Sequence, residues 1–261
     1  WWWRRPRAVR AALRRLQAAG PERLELAEVR ALPGGHANLV LRLTLRDAAG
    51  RERRAVLKRR LFYGSLLSFG GRWLGPMPRV GSIRAAERAR REVAALRHLR
   101  RRGHLVPACL SQGSGLILME WLDGVPVAQA LARPRGQEVA GHLGRALAAL
   151  HGDGAALCDA HPGNALLLRD GRVALLDLEF AVLDDAPPAL VAFDVAYCAA
   201  LLPDEGARRA FLRGYAGAAA LPPPLARACQ AEGRRIGRFA PLLWLERRHW
   251  RRVPSAAASR G

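Results

Sequence analysis

"CDAHPGNALLLRDGRVALLDLEF", residues 158–180, sets an acid, a Pro-Gly turn and an amide in close succession, then runs through two apolar stretches either side of Asp170-Gly171. The runs "ALLL" and "VALLDL" have strand length and "RDGR" supplies a turn, so the segment predicts an antiparallel hairpin. Such a ribbon carries Asp177 back to the end where Asp159 and Asn164 frame the incoming loop. Two carboxylates and an amide oxygen then cluster together. Hard oxygen donors of this kind suit Mg2+, which takes one or two carboxylates and leaves its other positions to water and phosphate oxygens.

Composition sharpens that reading. Of the 43 basic residues among 261, Lys58 is the one lysine, and Asn38 and Asn164 are the only asparagines. A residue type that the overall bias disfavours is expected where its chemistry is hard to replace. The formal net charge of +21 points towards an anionic partner, but the arginines are spread along the chain rather than gathered in a tail, and a solvated basic surface is an equal reading. No nucleic-acid reader motif interrupts them and aromatics are not interleaved along strands, so nucleic acid is not the expected partner.

Other classes fall away. Cys109, Cys158, Cys198 and Cys229 stand apart, without C-x-x-C pairs or Cys/His zinc spacing, and read as reduced thiols of a cytoplasmic chain. No apolar run approaches the ~18–20 residues that cross a bilayer. The first residue is Trp rather than Met, so a trimmed or partial N-terminus is expected.

The order of elements implies two lobes. Residues 1–20 form a basic, Trp-rich helix with Val9, Ala12, Leu13 and Leu16 on one face; it either lies on a membrane surface or packs on its own domain. "LELAEVRAL", "LVLRLTL" and "RRAVLKRR" alternate as three antiparallel strands, an irregular aromatic insertion occupies 61–82, and a helix runs from Ile83 to Arg102. Two more strands, "VPACLSQG" and "GLILMEWL", close the first lobe near residue 123. From 124 to 261 the chain is mainly helical. The fold class is therefore α+β, an antiparallel-sheet lobe followed by a helical one.

A phosphoryl-transfer site needs a cation on the nucleotide phosphates, and Lys58 ends a strand where its ammonium suits that task. Gly34 and Gly35 in "PGGHAN" would let backbone amides approach phosphate. On the following helix Ala85, Ala89, Glu92, Leu96 and Leu99 share one face, so Glu92 points into apolar surroundings and needs a partner. Glu92 is the expected partner of Lys58, with Glu87 the alternative.

In this order "PGGHAN", Lys58, Glu92, "LMEWLDG", "DAHPGN" and "LLDLEF" resemble the protein-kinase-like fold. The wording "DAHPGN" is similar to that of aminoglycoside and choline phosphotransferases. "VLKRRLFYGSLL", the arginine-rich helix and "RDGRVALLDLEF" resemble the lipopolysaccharide inner-core kinases, which act on Kdo or heptose. The resemblance covers roughly Leu24 to Tyr197. It implies ATP and Mg2+ as cofactors, Asp159 as catalytic base, Asn164 and Asp177 as metal ligands, Lys58 on the phosphates with Glu92 as its anchor, and backbone around Glu120 to Leu122 meeting adenine.

Two departures refine it. Leu157-Cys158 precedes Asp159 where an Arg-Asp pair would couple to a phosphorylated activation loop, and Leu178-Glu179 follows Asp177 in place of Phe-Gly. Both weigh against a protein kinase. Glu179 either reaches the metal or caps the next segment, and His161 either approaches the acceptor or orders the loop. "HGD" at 151–153 is a decoy, because Cys158 and not Asn lies five residues after Asp153. Asp194 is expected to bond the loop backbone from below. The expected acceptor is a sugar or glycolipid hydroxyl, with the anionic inner face of the cytoplasmic membrane as a candidate surface; the alternatives are a soluble small-molecule kinase, a protein kinase, and a non-catalytic kinase-like binding module.

Overall fold

The computed structural model describes residues 6–17, 24–32, 38–61, 78, 82, 84–217 and 221–240. Gly34 and Gly35, Trp1 to Trp3, most of the 61–82 insertion and the arginine-rich end lie outside them.

Five strands, β1 (Glu25–Ala31), β2 (Asn38–Arg46), β3 (Glu52–Arg60), β4 (Cys109–Gly113) and β5 (Leu116–Glu120), form an antiparallel sheet in the order β1-β2-β3-β5-β4. Strand periodicity divides β3 between two faces. Ala55 and Leu57 join Leu41, Leu43, Leu45, Leu116 and Leu118 on the outer face, where α1 (Pro6–Gln17) lays down Val9, Ala12, Leu13 and Leu16. Ser111 Oγ donates to Leu16 O at 2.7 Å, satisfying a carbonyl that the helix end leaves open. The apolar face of α1 is thus spent on the sheet, so this helix takes the second of its two readings.

The inner face carries Val56, Lys58 and Arg60, with Lys58 between Val40 and Ile117 in register. Against it stands α2 (Ala85–Arg101), which buries Arg88, Ala89, Glu92, Val93, Ala95, Leu96 and Leu99. That helix begins two residues later than its apolar pattern predicts, with Arg84 in extended conformation as its N-cap.

The first sheet ends at Glu120 and a second, β6 (Gly124–Pro126), β7 (Ala165–Leu168) and β8 (Val173–Leu175), begins at Gly124. A Cβ at Gly124 would stand 2.8 Å from Leu167 O, so the close pairing of β6 with β7 requires glycine. Helices α3 (Val127–Ala130), α4 (Gly136–Gly152), α5 (Pro188–Leu201), α6 (Glu205–Ala216) and α7 (Pro223–Gly237) build the second lobe. One apolar cluster runs from α2 and the inner face of β5 through α4 to Phe211 of α6, giving the two lobes a shared core. No helix among the described residues is long and apolar enough to cross a membrane.

Candidate active site

The β7–β8 hairpin pairs Ala165 with Leu175, and Leu176 N donates to Asn164 O at 2.8 Å. Asp177 therefore emerges beside the end of the loop that begins at Asp159. A 3-10 turn, Pro162–Asn164, closes that loop: His161 Nδ1 accepts from Gly163 N at 3.1 Å, and Asn164 Nδ2 donates to Asp159 O at 3.2 Å. Of the two readings for His161, its ring bond orders the loop, while its Nε2 lies 3.9 Å from Asp159 Oδ1. Cys158 and Asp177 both adopt positive φ, 57° and 55°, a conformation that costs a side chain energy and is held here by its surroundings.

From below, Asp194 Oδ2 accepts from Leu157 N at 2.6 Å and lies 3.3 Å from His151 Nε2, whose Nδ1 is 2.7 Å from Tyr215 Oη. The "HGD" residues are structural: His151 is packed in this chain of contacts, and Asp153, at the end of α4, meets His104 at 2.8 Å.

Across the cleft Lys58 Nζ donates to Glu92 Oε1 at 2.9 Å and to Asp177 Oδ1 at 2.7 Å. Glu87 is elsewhere, accepting from Ser82 Oγ at 2.8 Å. Arg60, two residues beyond Lys58 and on the same strand face, donates to the other oxygen of Glu92 and to Asn38 Oδ1 at 2.7 Å, and forms an ion pair with Glu179 Oε2 at 3.0 Å. Arg88 grips Glu179 with two nitrogens at 2.5 and 2.7 Å. Both oxygens of Glu179 are thus engaged by guanidinium groups, which excludes the metal-ligand reading for this side chain as it stands.

Three cations, Lys58, Arg60 and Arg88, face three carboxylates, Glu92, Asp177 and Glu179. Burial would raise the Asp177 carboxyl, but Lys58, Arg60 and Arg88 together outweigh it and hold the group well below the usual carboxylate range. For Arg60 burial opposes the charge, and Glu92, Glu179 and Asp177 overcome it, so the guanidinium is held charged more firmly than in water.

The stretch expected to meet adenine starts at the end of β5. Glu120 N donates to Ala108 O at 2.9 Å and its carboxylate accepts from Ala108 N and Arg100. Its N–H is therefore engaged within the sheet, which leaves the expectation for the other backbone groups from Glu120 to Leu122 as it stood.

Sequence reasoning passed over Arg60 and Arg88 and gave Asn38 no role. Forty-odd arginines make any one of them uninformative; the signal that would have found Arg60 is strand periodicity, since i and i+2 share a face. Among the described residues no cluster of three or more His, Cys, Asp or Glu is arranged to hold a metal. A metal here would draw on Asn164 and Asp177 alone. Asp177 commits Oδ1 to Lys58 and keeps Oδ2, and Asn164 commits its Nδ2 and keeps Oδ1, so two hard oxygens remain, a set that fits Mg2+ completed by water and phosphate.

A model of a phosphotransferase enzyme family matches residues 28–157, which include Lys58 and Glu92 and stop just before Asp159. No curated protein matches. Among solved structures, the chain is similar to Rv3197 from Mycobacterium tuberculosis in its complex with erythromycin, at 20% identity over 71% of this chain and 55% of that one, with a TM-score of 0.47. It is also similar to the Rio2 kinase from Chaetomium thermophilum in an ADP/Mg2+-phosphoaspartate complex, at 16% identity over 82% of this chain and 72% of that one, with a TM-score of 0.49. The chain thus spans only about half the length of the first. The fold is α+β, an antiparallel-sheet lobe followed by a helical one, and the family model matched over just under half of the chain is that of a phosphotransferase enzyme family.

Proposed function

We propose that this chain transfers the γ-phosphate of ATP to a hydroxyl of a sugar, with Asp159 as the base. The observation that carries the reading is the meeting of Lys58 with both Glu92 and Asp177, beside the loop that holds Asp159. The Asp159 side chain is 18% exposed at that loop. As the acceptor oxygen bonds to the γ-phosphorus, its proton passes to the Asp159 carboxylate and the bond to the β–γ bridging oxygen breaks, releasing ADP. Lys58 would leave Asp177 for the α- and β-phosphates, with Glu92 holding its position. Asn164 and Asp177 would hold Mg2+, which when bound neutralises charge on the phosphate oxygens. Catalysis is then positioning plus charge stabilisation.

Room for the acceptor lies beside the loop. A cavity of about 550 Å3 is bordered by apolar Leu131, Pro162 and Leu201 and by polar Gln129, Arg133 and Asp204, a mixed lining that accommodates a polyol. The lipopolysaccharide inner core is the finer form of this reading. It is supported by the sequence resemblance and by the net charge of +21, since each arginine near an anionic membrane surface contributes about 1 kcal/mol at low salt.

Incubation with labelled ATP and a panel of core glycolipids, free sugars, aminoglycosides and proteins tests the reading. Label should pass to a sugar-bearing acceptor and be lost in Asp159→Ala. Label on proteins alone, transfer that survives Asp159→Ala, or no transfer to any member would each overturn it.

A further inference from the structure

Arg60 is a buried charge of the site and nothing in the reaction described above uses it. Its side chain is 0% exposed, and it touches Glu92, Glu179 and Asn38 at once, with Asp177 Oδ1 3.7 Å away. Stability alone is a weak account of a guanidinium in that position, because well-packed apolar residues often replace buried ion pairs at no cost or with a gain. Its geometry reaches further. Glu92 belongs to α2, Glu179 follows the hairpin, and Asn38 is the first residue of β2, so one fork ties together three segments that border the cleft.

Charge counting shows what the fork does during turnover, on the reading of Lys58 as the phosphate cation and Asp177 as a metal ligand. Before nucleotide arrives, three cations balance three carboxylates. When Lys58 turns to the phosphates and Asp177 to the metal, Arg60 and Arg88 remain against Glu92 and Glu179, and the buried set is balanced again. Without Arg60 one cation would face two carboxylates in a water-excluded site. Glu92 would then compete with the triphosphate for Lys58.

We infer that Arg60 is a positioning residue of the nucleotide site: it occupies the second oxygen of Glu92 and bridges to Glu179, so that the Lys58 ammonium is free to serve the phosphates. Lysine is a poor substitute, because one ammonium cannot present the two separated nitrogens with which the planar fork meets Glu92 through Nη2 and Asn38 and Glu179 through Nη1.

The test is calorimetric binding of Mg-ADP to the folded full chain, with Arg60→Gln, Arg60→Lys, Glu179→Gln and Lys58→Met compared well below their unfolding temperatures. Arg60→Gln should weaken binding roughly 10- to 100-fold, the span that a lost charge-assisted contact carries. Arg60→Lys should recover thermal stability but not affinity, a split that a merely structural role would not produce. Glu179→Gln removes the bridge while sparing Arg60 and should weaken binding by a smaller factor, which keeps the inference open to refutation if Arg60→Gln does not fold. Lys58→Met separates the two levels of argument: if it leaves Mg-ADP affinity unchanged, the reading of the site fails. If it weakens binding while the Arg60 and Glu179 variants bind as the parent does, the role of Arg60 fails and the site reading stands.

Discussion

Gly144→Ala is expected to destabilise the helical lobe, and the size of the effect follows from one distance. A Cβ at Gly144 on α4 would stand 2.2 Å from Phe211 O and 2.8 Å from Tyr215 N on α6, both well inside ordinary contact. The obstructing atoms are backbone, so no rotamer change relieves the clash and the two helices must separate. Their shared apolar seam includes Leu143, Leu147 and Phe211, and a radial gap of 0.5–1 Å forfeits roughly a quarter to a half of each dispersion contact. Overpacking of this kind costs about 1–3 kcal/mol, against which alanine returns up to about 1 kcal/mol in helix propensity. A net loss near 1 kcal/mol corresponds to a fall of about 2–4 °C in Tm at this chain length. Gly233→Ala on α7 is the control: nothing lies within 4 Å of its Cβ, so propensity alone acts and the variant should gain about 0.5–1 kcal/mol. Thermal and urea unfolding of both variants decide the matter. A Gly144→Ala protein as stable as Gly233→Ala would refute the close-packed α4–α6 contact. Because α4 ends beside His151, which touches Asp194, the loss should also lower turnover.

Lys58 is the chain's one lysine, so an acyl phosphate of ATP should place a single side-chain label, excess Mg-ADP should block it, and Lys58→Met should abolish it in an intact-mass measurement; a label that nucleotide does not protect would place Lys58 outside the nucleotide site. Asp194→Ala removes the acceptor for Leu157 N and the contact to His151, leaving buried polar groups unmatched, and should cost about 1–3 kcal/mol by urea unfolding together with lower kcat, whereas a neutral result would deny Asp194 its hold on the loop. Burial pushes the Cys229 thiol up to about 11, while an unfolded thiol ionises near 8.5. The stability from this group is complete below about pH 8.5 and is lost as pH rises towards 11, because the unfolded chain gives up its proton first. Urea midpoints measured across that interval should fall less steeply for Cys229→Ser, and identical slopes would contradict the shift.

The hairpin around Asp170-Gly171 and the apolar stripe that carries Glu92 were legible because both are local periodicities, of two and of 3.6 residues. Rarity marked Lys58, Asn38 and Asn164, and all three stand in or beside the cleft, Asn38 through Arg60 and Asn164 through the loop of Asp159. Arg60 and Arg88 were illegible for the opposite reason. In a chain with so many arginines, nothing in residue type distinguishes a guanidinium at 0 or 1% exposure from one in solvent.

What one stretch of chain could determine was the identity and order of the elements, since turn residues and apolar spacing act within a few neighbours. What only tertiary structure decided was partnership: that α1 covers the outer face of the sheet, that Glu179 belongs to Arg88 and Arg60 rather than to a metal, and that Glu120 commits its N–H to Ala108. Each of these is a contact between residues far apart in sequence or a competition for one hydrogen-bonding group. Burial settles such competitions, because a charge or N–H taken out of water must find a partner among whatever the fold has brought near.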